Sequence, residues 1–368
     1  LKRGELFAAL LMSINFLVVW TCTGTSVPDL FLQIPALLAL LFFIGFGRVG
    51  AQQNKRYFSW SGFCLGVALG LKLSAIIYVP GFAVLFLLGL LTRRIGFFQV
   101  FSFGGMVVFG YLLVYGWWGG LLYQKFGNPF FPLFNEWFHS PDFAQEALSN
   151  KRFIAASLMD QLFLPFRMAL SDVFAYMEIR APDLRPAAFV MAFFFLLAVW
   201  IIAGKKISDR LTISAWEFLL FLSVSFWVWV LISGNGRYAV GILLLIGGGL
   251  LVALRAALPL RWFRSVFLLV FLLQSGVIAQ QVSIDTVPFR MRDTAWGGQW
   301  FNADFSSVLG EGNQLVLTGT RSPLTVIAKD MGKGSALINV AGIFALDDSA
   351  AIQEKIHQYQ GRILGMMM

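Results

Sequence analysis

From residue 5 to residue 282 the sequence alternates apolar runs with short segments rich in lysine and arginine. A bilayer core about 30 Å thick is crossed by roughly 20 apolar residues in helical form. Runs near 5–23, 30–46, 98–118, 186–204, 214–232, 239–254 and 265–282 meet that requirement. The stretch 59–91 is too long for one span and too short for two full ones, and it carries Lys72 at its centre in GVALGLKLSA. It predicts two short helices, 59–71 and 74–91, that meet at Lys72.

The basic residues test this reading, because lysine and arginine collect in cytoplasmic loops. Lys2 and Arg3, Arg48 with Lys55 and Arg56, Arg93 and Arg94, Lys205 with Lys206 and Arg210, and Arg255 with Arg261 and Arg264 all fall on one side. That holds only with about nine spans and a hairpin over 59–91. A single helix there would put Arg93 and Arg94 outside and flip the later loops. The topogenic loops account for much of the net charge of +9, so no nucleic-acid partner is implied.

Composition agrees. The chain is 58% hydrophobic and 13% charged, where a soluble domain is nearer half apolar and a quarter charged. An ordinary cytosolic enzyme and a disordered chain are excluded. Cys22 and Cys64 both lie in apolar runs, which is neither a metal pattern nor a disulfide framework. With only His139 and His357, a histidine-built metal site is not expected. No P-loop, dinucleotide fingerprint or nucleophile elbow is present.

The fold expected is an all-α polytopic membrane protein over 1–282, with an exterior loop at 119–185, followed by a small exterior α/β domain over 283–368. In the loop, YQKFGNPFFPLFNEWFHSPDF (123–143) is dense in aromatics, and 144–170 suits an interfacial helix. Trp117, Trp118 and Trp137 suit the headgroup zone. In the tail, 314–320 and 335–340 read as short strands and 347–361 as a capped helix. The glycines of GGMVVFG (104–110) read as a packing feature within a span.

Polar chemistry gathers on the exterior side. Asp29 opens the second span, where it suits a helix cap or a functional carboxylate. Lys72 is flanked by apolar residues on both sides; it either snorkels at a hairpin tip or meets a phosphate, since ionisable residues in the membrane default to function. Gly62, Gly66 and Gly70 would let the preceding helix pack closely on a neighbour. Arg237 and Tyr238 follow Asn235-Gly236 at another outer junction, as interfacial anchors or as a phosphate fork and its neighbour. Asn128, Asn135, Glu136, His139 and Asp142 lie among aromatics, a setting that suits a sugar or a lipid headgroup as well as a loop folded on itself. Glu178, Arg180, Asp183 and Arg185 read as surface charges.

Three segments together resemble the GT-C superfamily of membrane glycosyltransferases, in particular its protein O-mannosyltransferase and aminoarabinose-transferase-like branch. They are SVPDLFLQIPALLALL, SGFCLGVALGLKLSA, and FGNPFFPLFNEWFHSP followed two spans on by GNGRYAV. The resemblance covers roughly residues 5–282. It implies transfer of a sugar from a polyprenyl-phosphate donor to a glycan, lipid or protein acceptor, on the outer face of a bacterial cytoplasmic membrane. Carried over, Asp29 is the catalytic acidic residue. Lys72 and Arg237 bind the donor phosphate. Tyr238 lines the lipid groove, with Asn128, Asn135, Glu136 and His139 near the sugar. A divalent metal is compatible with the family. Two departures stand out. The leading acid of family members lies in a loop after the first span that this chain does not show, so the chain is expected to be an N-terminally truncated fragment. Ala239-Val240-Gly241 also stand where prolines usually follow the Arg-Tyr pair.

Three other classes fit in part. A polar-lipid transporter would line its spans with polar residues and show repeats; Asn15, Gln33, Glu217 and Gln274 are instead scattered. A polyprenyl-diphosphate glycan ligase or polymerase shares the exterior phosphate chemistry. An assembly protein would leave Lys72 and Arg237 without a reason.

Overall fold

The computed structural model describes residues 3–13, 29–45, 54–141, 143, 145, 153–154, 157–170, 175–177, 181–203, 211–284, 314–318, 335–339, 357 and 362–366. They form two compact units, Leu1–Gly116 with Asn150–Arg290, and Trp117–Ser149 with Met291–Met368.

The first unit is helical. Its elements are α1 (Arg3–Ser13), α2 (Asp29–Gly45), α3 (Asn54–Leu71), a 3-10 turn (Leu73–Tyr78) running into α4 (Val79–Leu91), α5 (Phe97–Phe126, whose last residues belong to the second unit), α6 (Arg185–Ala203), α7 (Ile213–Ile232), α8 (Val240–Ala257) and α9 (Leu260–Ile284). Among the described residues six helical segments are long and apolar enough to cross a bilayer: the turn with α4, and α5 to α9. This is the make-up of a multi-pass membrane protein. The chain breaks at Lys72, which is extended (φ −157°, ψ 119°) between α3 and the 3-10 turn.

Helix α8 is the axis of this unit. It packs against α1, α2, α6, α7 and α9, and buries Ile242, Leu243, Ile246, Leu250 and Leu251. Its small residues permit this: a Cβ on Gly247 would meet the Ala9 carbonyl of α1 at 2.8 Å. Small residues likewise let α3 and α5 touch through their backbones, because a Cβ on Gly66 would lie 2.1 Å from the Val107 carbonyl oxygen. From the other side Gly110 faces the Phe63 carbonyl, whereas Gly104 and Gly105 have open space beside them. Of the GGMVVFG glycines, then, only Gly110 packs. Phe43, Phe82, Phe86, Phe103 and Phe221 lock α2, α4, α5 and α7 together, with ring centroids 4.7–5.7 Å apart along the chain of contacts. Such edge and tilted contacts add specificity to plain burial.

The segment expected to lie on the membrane surface contains two short helices, Leu158–Leu162 and Leu164–Arg167. Ser157 caps the first, its hydroxyl accepting from the Asp160 amide at 3.1 Å. Leu158, Met159, Leu162, Phe163 and Phe166 are exposed, while Leu164 and Met168 turn inward.

One expectation is overturned here. Asp183 and Arg185 are not surface charges; both are sealed from solvent. The Arg185 Nε and Nη2 donate to the two Asp183 carboxylate oxygens at 2.8 and 2.6 Å, and Nη1 donates to the Met12 carbonyl. The pair sits where α6 begins and ties it to the end of α1. A buried guanidinium is tolerable because every face of its fork finds an acceptor. Glu178, Arg180 and Asp142 lie outside the described residues.

In the second unit, Trp117, Trp118 and Trp137 are exposed. The tail contains β1 (Gln314–Thr318), β2 (Ala336–Asn339) and β3 (Arg362–Met366), in the order β2-β1-β3 with both pairings parallel. Leu315 is level with Ala336 on one side and Ile363 on the other. β1 and β2 fall where the sequence places strands, but β3 was not anticipated. Of the expected helix over 347–361 only His357, which is helical, is among the described residues.

Candidate functional site

Three separate breaks in the helical bundle bring together four of the residues singled out by sequence. Asp29 stands in the first turn of α2. Lys72 stands at the break after α3, and Arg237 and Tyr238 lie in the turn between α7 and α8. The Asp29 carboxylate is completely buried, with a different cation on each oxygen. Lys72 Nζ donates to Oδ1, and Arg237 Nε donates to Oδ2 at 3.0 Å. Lys72 Nζ also lies 4.8 Å from the centre of the Tyr238 ring, a cation–π arrangement. A carboxylate at the start of a helix is further favoured by the helix dipole, so capping position and ion pairing act together.

The two cations are not sealed. Lys72 is 27% exposed and Arg237 31% exposed, against 0% for Asp29. One buried negative charge therefore sits under two half-exposed positive ones. The cluster carries a net single positive charge on its open side, with unused donors on both cations, since Lys has three and Arg five. That balance of charge suits an anion.

The turn carrying Arg237 is built without help from its side chain. Gly234 adopts φ +61°, and a Cβ there would strike the Phe153 carbonyl at 2.3 Å, so only glycine fits. The Trp229 indole donates to the Asn235 carbonyl at 2.8 Å. The Asn235 side-chain oxygen accepts from the Arg237 amide at 3.1 Å. The Gly236 amide donates to the Tyr176 carbonyl at 2.7 Å. Tyr176 in turn donates its hydroxyl to the Ala181 carbonyl. Burial, reinforced by the Asp183 charge and partly offset by Arg185, pushes its phenol well above the usual tyrosine range. With its backbone fixed this way, the Arg237 guanidinium is left to serve the site.

Gln33, one turn along α2 from Asp29, accepts a hydrogen bond from the Tyr78 hydroxyl at 2.5 Å, and both are buried. The sequence reading treated Gln33 as scattered and passed over Tyr78; the four-residue step from Asp29 on one helix face was the available signal. Gln274 is also engaged, accepting from the Leu184 amide at 2.7 Å. Glu217 pairs with Arg94 at 2.9 Å.

The remaining candidates lie in the second unit, and two of them hold their own loop. Asn128 donates to the Leu133 carbonyl at 2.9 Å and accepts from the Phe130 amide at 2.8 Å. Asn135 donates to the carbonyls of Ser140 and Phe143 at 2.9 and 2.8 Å, and accepts from the Ser140 amide. Both are buried. Their amides close the 128–133 and 135–143 turns of the loop, which gives both a structural role. Glu136 is half-buried, and His139 is exposed in a left-handed conformation (φ 53°).

Among the described residues the donor set does not suit a divalent metal, because the Asp29 carboxylate is held by two cationic groups that would repel a metal ion. Comparison with protein-family models, curated proteins and solved structures finds no match to this chain.

Proposed function

We propose that the chain is an integral membrane glycosyltransferase of GT-C-like architecture, with about nine spans and its site on the outer face of a bacterial cytoplasmic membrane. It takes a sugar from a polyprenyl-phosphate donor and passes it to an acceptor hydroxyl on a glycan, lipid or protein. The tail forms a small exterior α/β domain beside the membrane.

The observation that carries this reading is the pairing of one sealed carboxylate with two half-exposed cations. A sugar–phosphate–prenyl diester bears one negative charge, which balances the single net positive charge of the cluster. A diphosphate carrier would bring more charge than the cluster neutralises, so the ligase or polymerase reading is weaker. A transport path is also weaker, because Gln33 is committed to the Tyr78 hydroxyl rather than lining a path.

In the proposed reaction the acceptor oxygen attacks the anomeric carbon as the bond from that carbon to the phosphate oxygen breaks. Polyprenyl phosphate leaves with the electron pair. Its growing charge is met by Lys72 and Arg237, already held in place by Asp29, so little reorganisation is needed. As the phosphate draws Lys72 toward itself, Asp29 Oδ1 becomes available to accept the hydroxyl proton. Tyr238 keeps the Lys72 ammonium over its ring and offers an apolar flank to the prenyl chain.

Native mass spectrometry of the protein, purified gently from its membrane, tests this. The expected result is a co-bound mass matching a polyprenyl-phosphate sugar, absent from the Arg237→Ala variant. Recovery of bulk phospholipid alone, unchanged in the variant, would remove the donor assignment.

A further inference from the structure

A second feature lies toward the basic end of the helical unit. There α1, α8 and α9 line an open, groove-like cavity of about 510 Å3, well within the range of about 300–1,000 Å3 typical of ligand pockets. One face of α1 contributes Ala8 and Leu11, and α8 contributes Leu251. Helix α9 contributes Phe263, Phe267 and Phe271, spaced four residues apart on one stripe. Leu251 is on the order of 16 Å along α8 from the end that follows Arg237, so this is not part of the Asp29 cluster.

The polar residues of the cavity are Glu5 and Arg264. Glu5 faces Arg255, whose Nε is 3.9 Å from its carboxylate. Arg261 precedes Arg264 by one turn of α9, and both are exposed. The groove wall thus carries one arginine, Arg264, with Arg261 one turn away on α9 and Arg255 beside Glu5. Arginines that serve only to orient a membrane protein sit in loops; Arg264 forms part of a cavity wall.

We propose that this cavity binds an anionic phospholipid, with one acyl chain along the Phe263–Phe267–Phe271 stripe and the phosphate on Arg264 and Arg261. The match is one of charge and shape together. Basic pockets between membrane helices on the cytoplasmic side hold anionic headgroups. The arginine fork fits phosphate oxygens, and the walls give the chain an apolar bed. The proposal stands independently of the transferase reading.

The test is native mass spectrometry of the full chain in detergent. Dioleoyl phosphatidylglycerol and dioleoyl phosphatidylcholine are added in equal amounts. One retained phosphatidylglycerol, with phosphatidylcholine at least tenfold lower, is expected. The exposed pair Arg261→Ala and Arg264→Ala together should lower phosphatidylglycerol retention by roughly tenfold or more. Ala8→Phe, which fills the cavity from a partly buried position, should lower it with both arginines intact. Equal retention of the two lipids, or phosphatidylglycerol retention unchanged in both variants, would overturn the proposal.

Discussion

The first unit contains two aspartate–arginine clusters with nearly the same chemistry and opposite designs. Around Asp183 both partners are sealed, the two carboxylate oxygens face one guanidinium, and the third guanidinium nitrogen donates to the Met12 carbonyl. Around Asp29 only the carboxylate is sealed. Its two oxygens are divided between two cations that keep about a third of their surface open. A closed pair, with a partner on each guanidinium nitrogen and no open surface, holds the fold. A divided carboxylate leaves donors in excess, and the excess faces outward. Charge count and exposure, rather than residue type, separate a staple from a binding site.

The most severe way to break this contrast is Arg185→Ala. It leaves Asp183 buried without its guanidinium, and removes the donor to the Met12 carbonyl. Breaking one side of a buried pair costs about 3–5 kcal/mol, a large share of the stability of most proteins. Loss of folded protein in thermal unfolding is expected. Arg185→Lys should recover little, because an ammonium cannot make the two-pronged contact. A normal melting curve for Arg185→Ala would mean the staple is dispensable.

The open cluster should answer the opposite way. Lys72→Ala leaves the Asp29 carboxylate still paired with Arg237, so the loss of stability should be clearly smaller than in Arg185→Ala. Transfer activity should fall by about 10²–10³, the usual effect of removing one donor from a developing charge. Asp29→Asn should lower activity comparably, by loosening both cations and removing the proton acceptor. Measuring melting temperature and transfer on the same preparations decides the matter. Variants that unfold like Arg185→Ala would turn the open cluster into a second staple.

These clusters were unequally legible in the sequence. Lys72 stands out because an ammonium amid apolar residues has no bland place to be, and Asp29 and Arg237 mark helix junctions facing the same side. Asp183 and Arg185 sit in a charged stretch with Glu178 and Arg180 that resembles any solvated segment. Their third partner is a backbone carbonyl of α1, and a backbone acceptor carries no sequence signal. Asn128 and Asn135 were ambiguous for a related reason: asparagine suits both sugars and turns, and the structure shows their turn-closing bonds. The helices could be read from hydropathy, and the break at Lys72 from length and charge. Strand β3 could not, because five residues of RILGM offer no period that separates a strand from a short apolar run.

Tyr176 lies between the two designs and permits the finest test. Its carbonyl and ring support Gly236, next to Arg237, while its hydroxyl serves Ala181 and its phenol feels Asp183 and Arg185. The folded phenol holds its proton more tightly than an unfolded one, whose pKa is about 10. Its contribution is therefore complete below about pH 10 and is lost as pH rises toward the folded value. In Tyr176→Phe the ring and backbone contacts remain, but the hydroxyl bond is gone, costing about 1 kcal/mol near pH 8. The gap between wild type and variant should close on going to about pH 11, since only the wild type has a phenol to ionise. Donor binding near pH 8 should be unchanged, because the Gly236 contacts that place Arg237 survive. A gap that stays constant with pH would show that burial does not hold the phenol above its ordinary range. Weakened donor binding would show that the staple and the open site are one network, erasing the distinction between them.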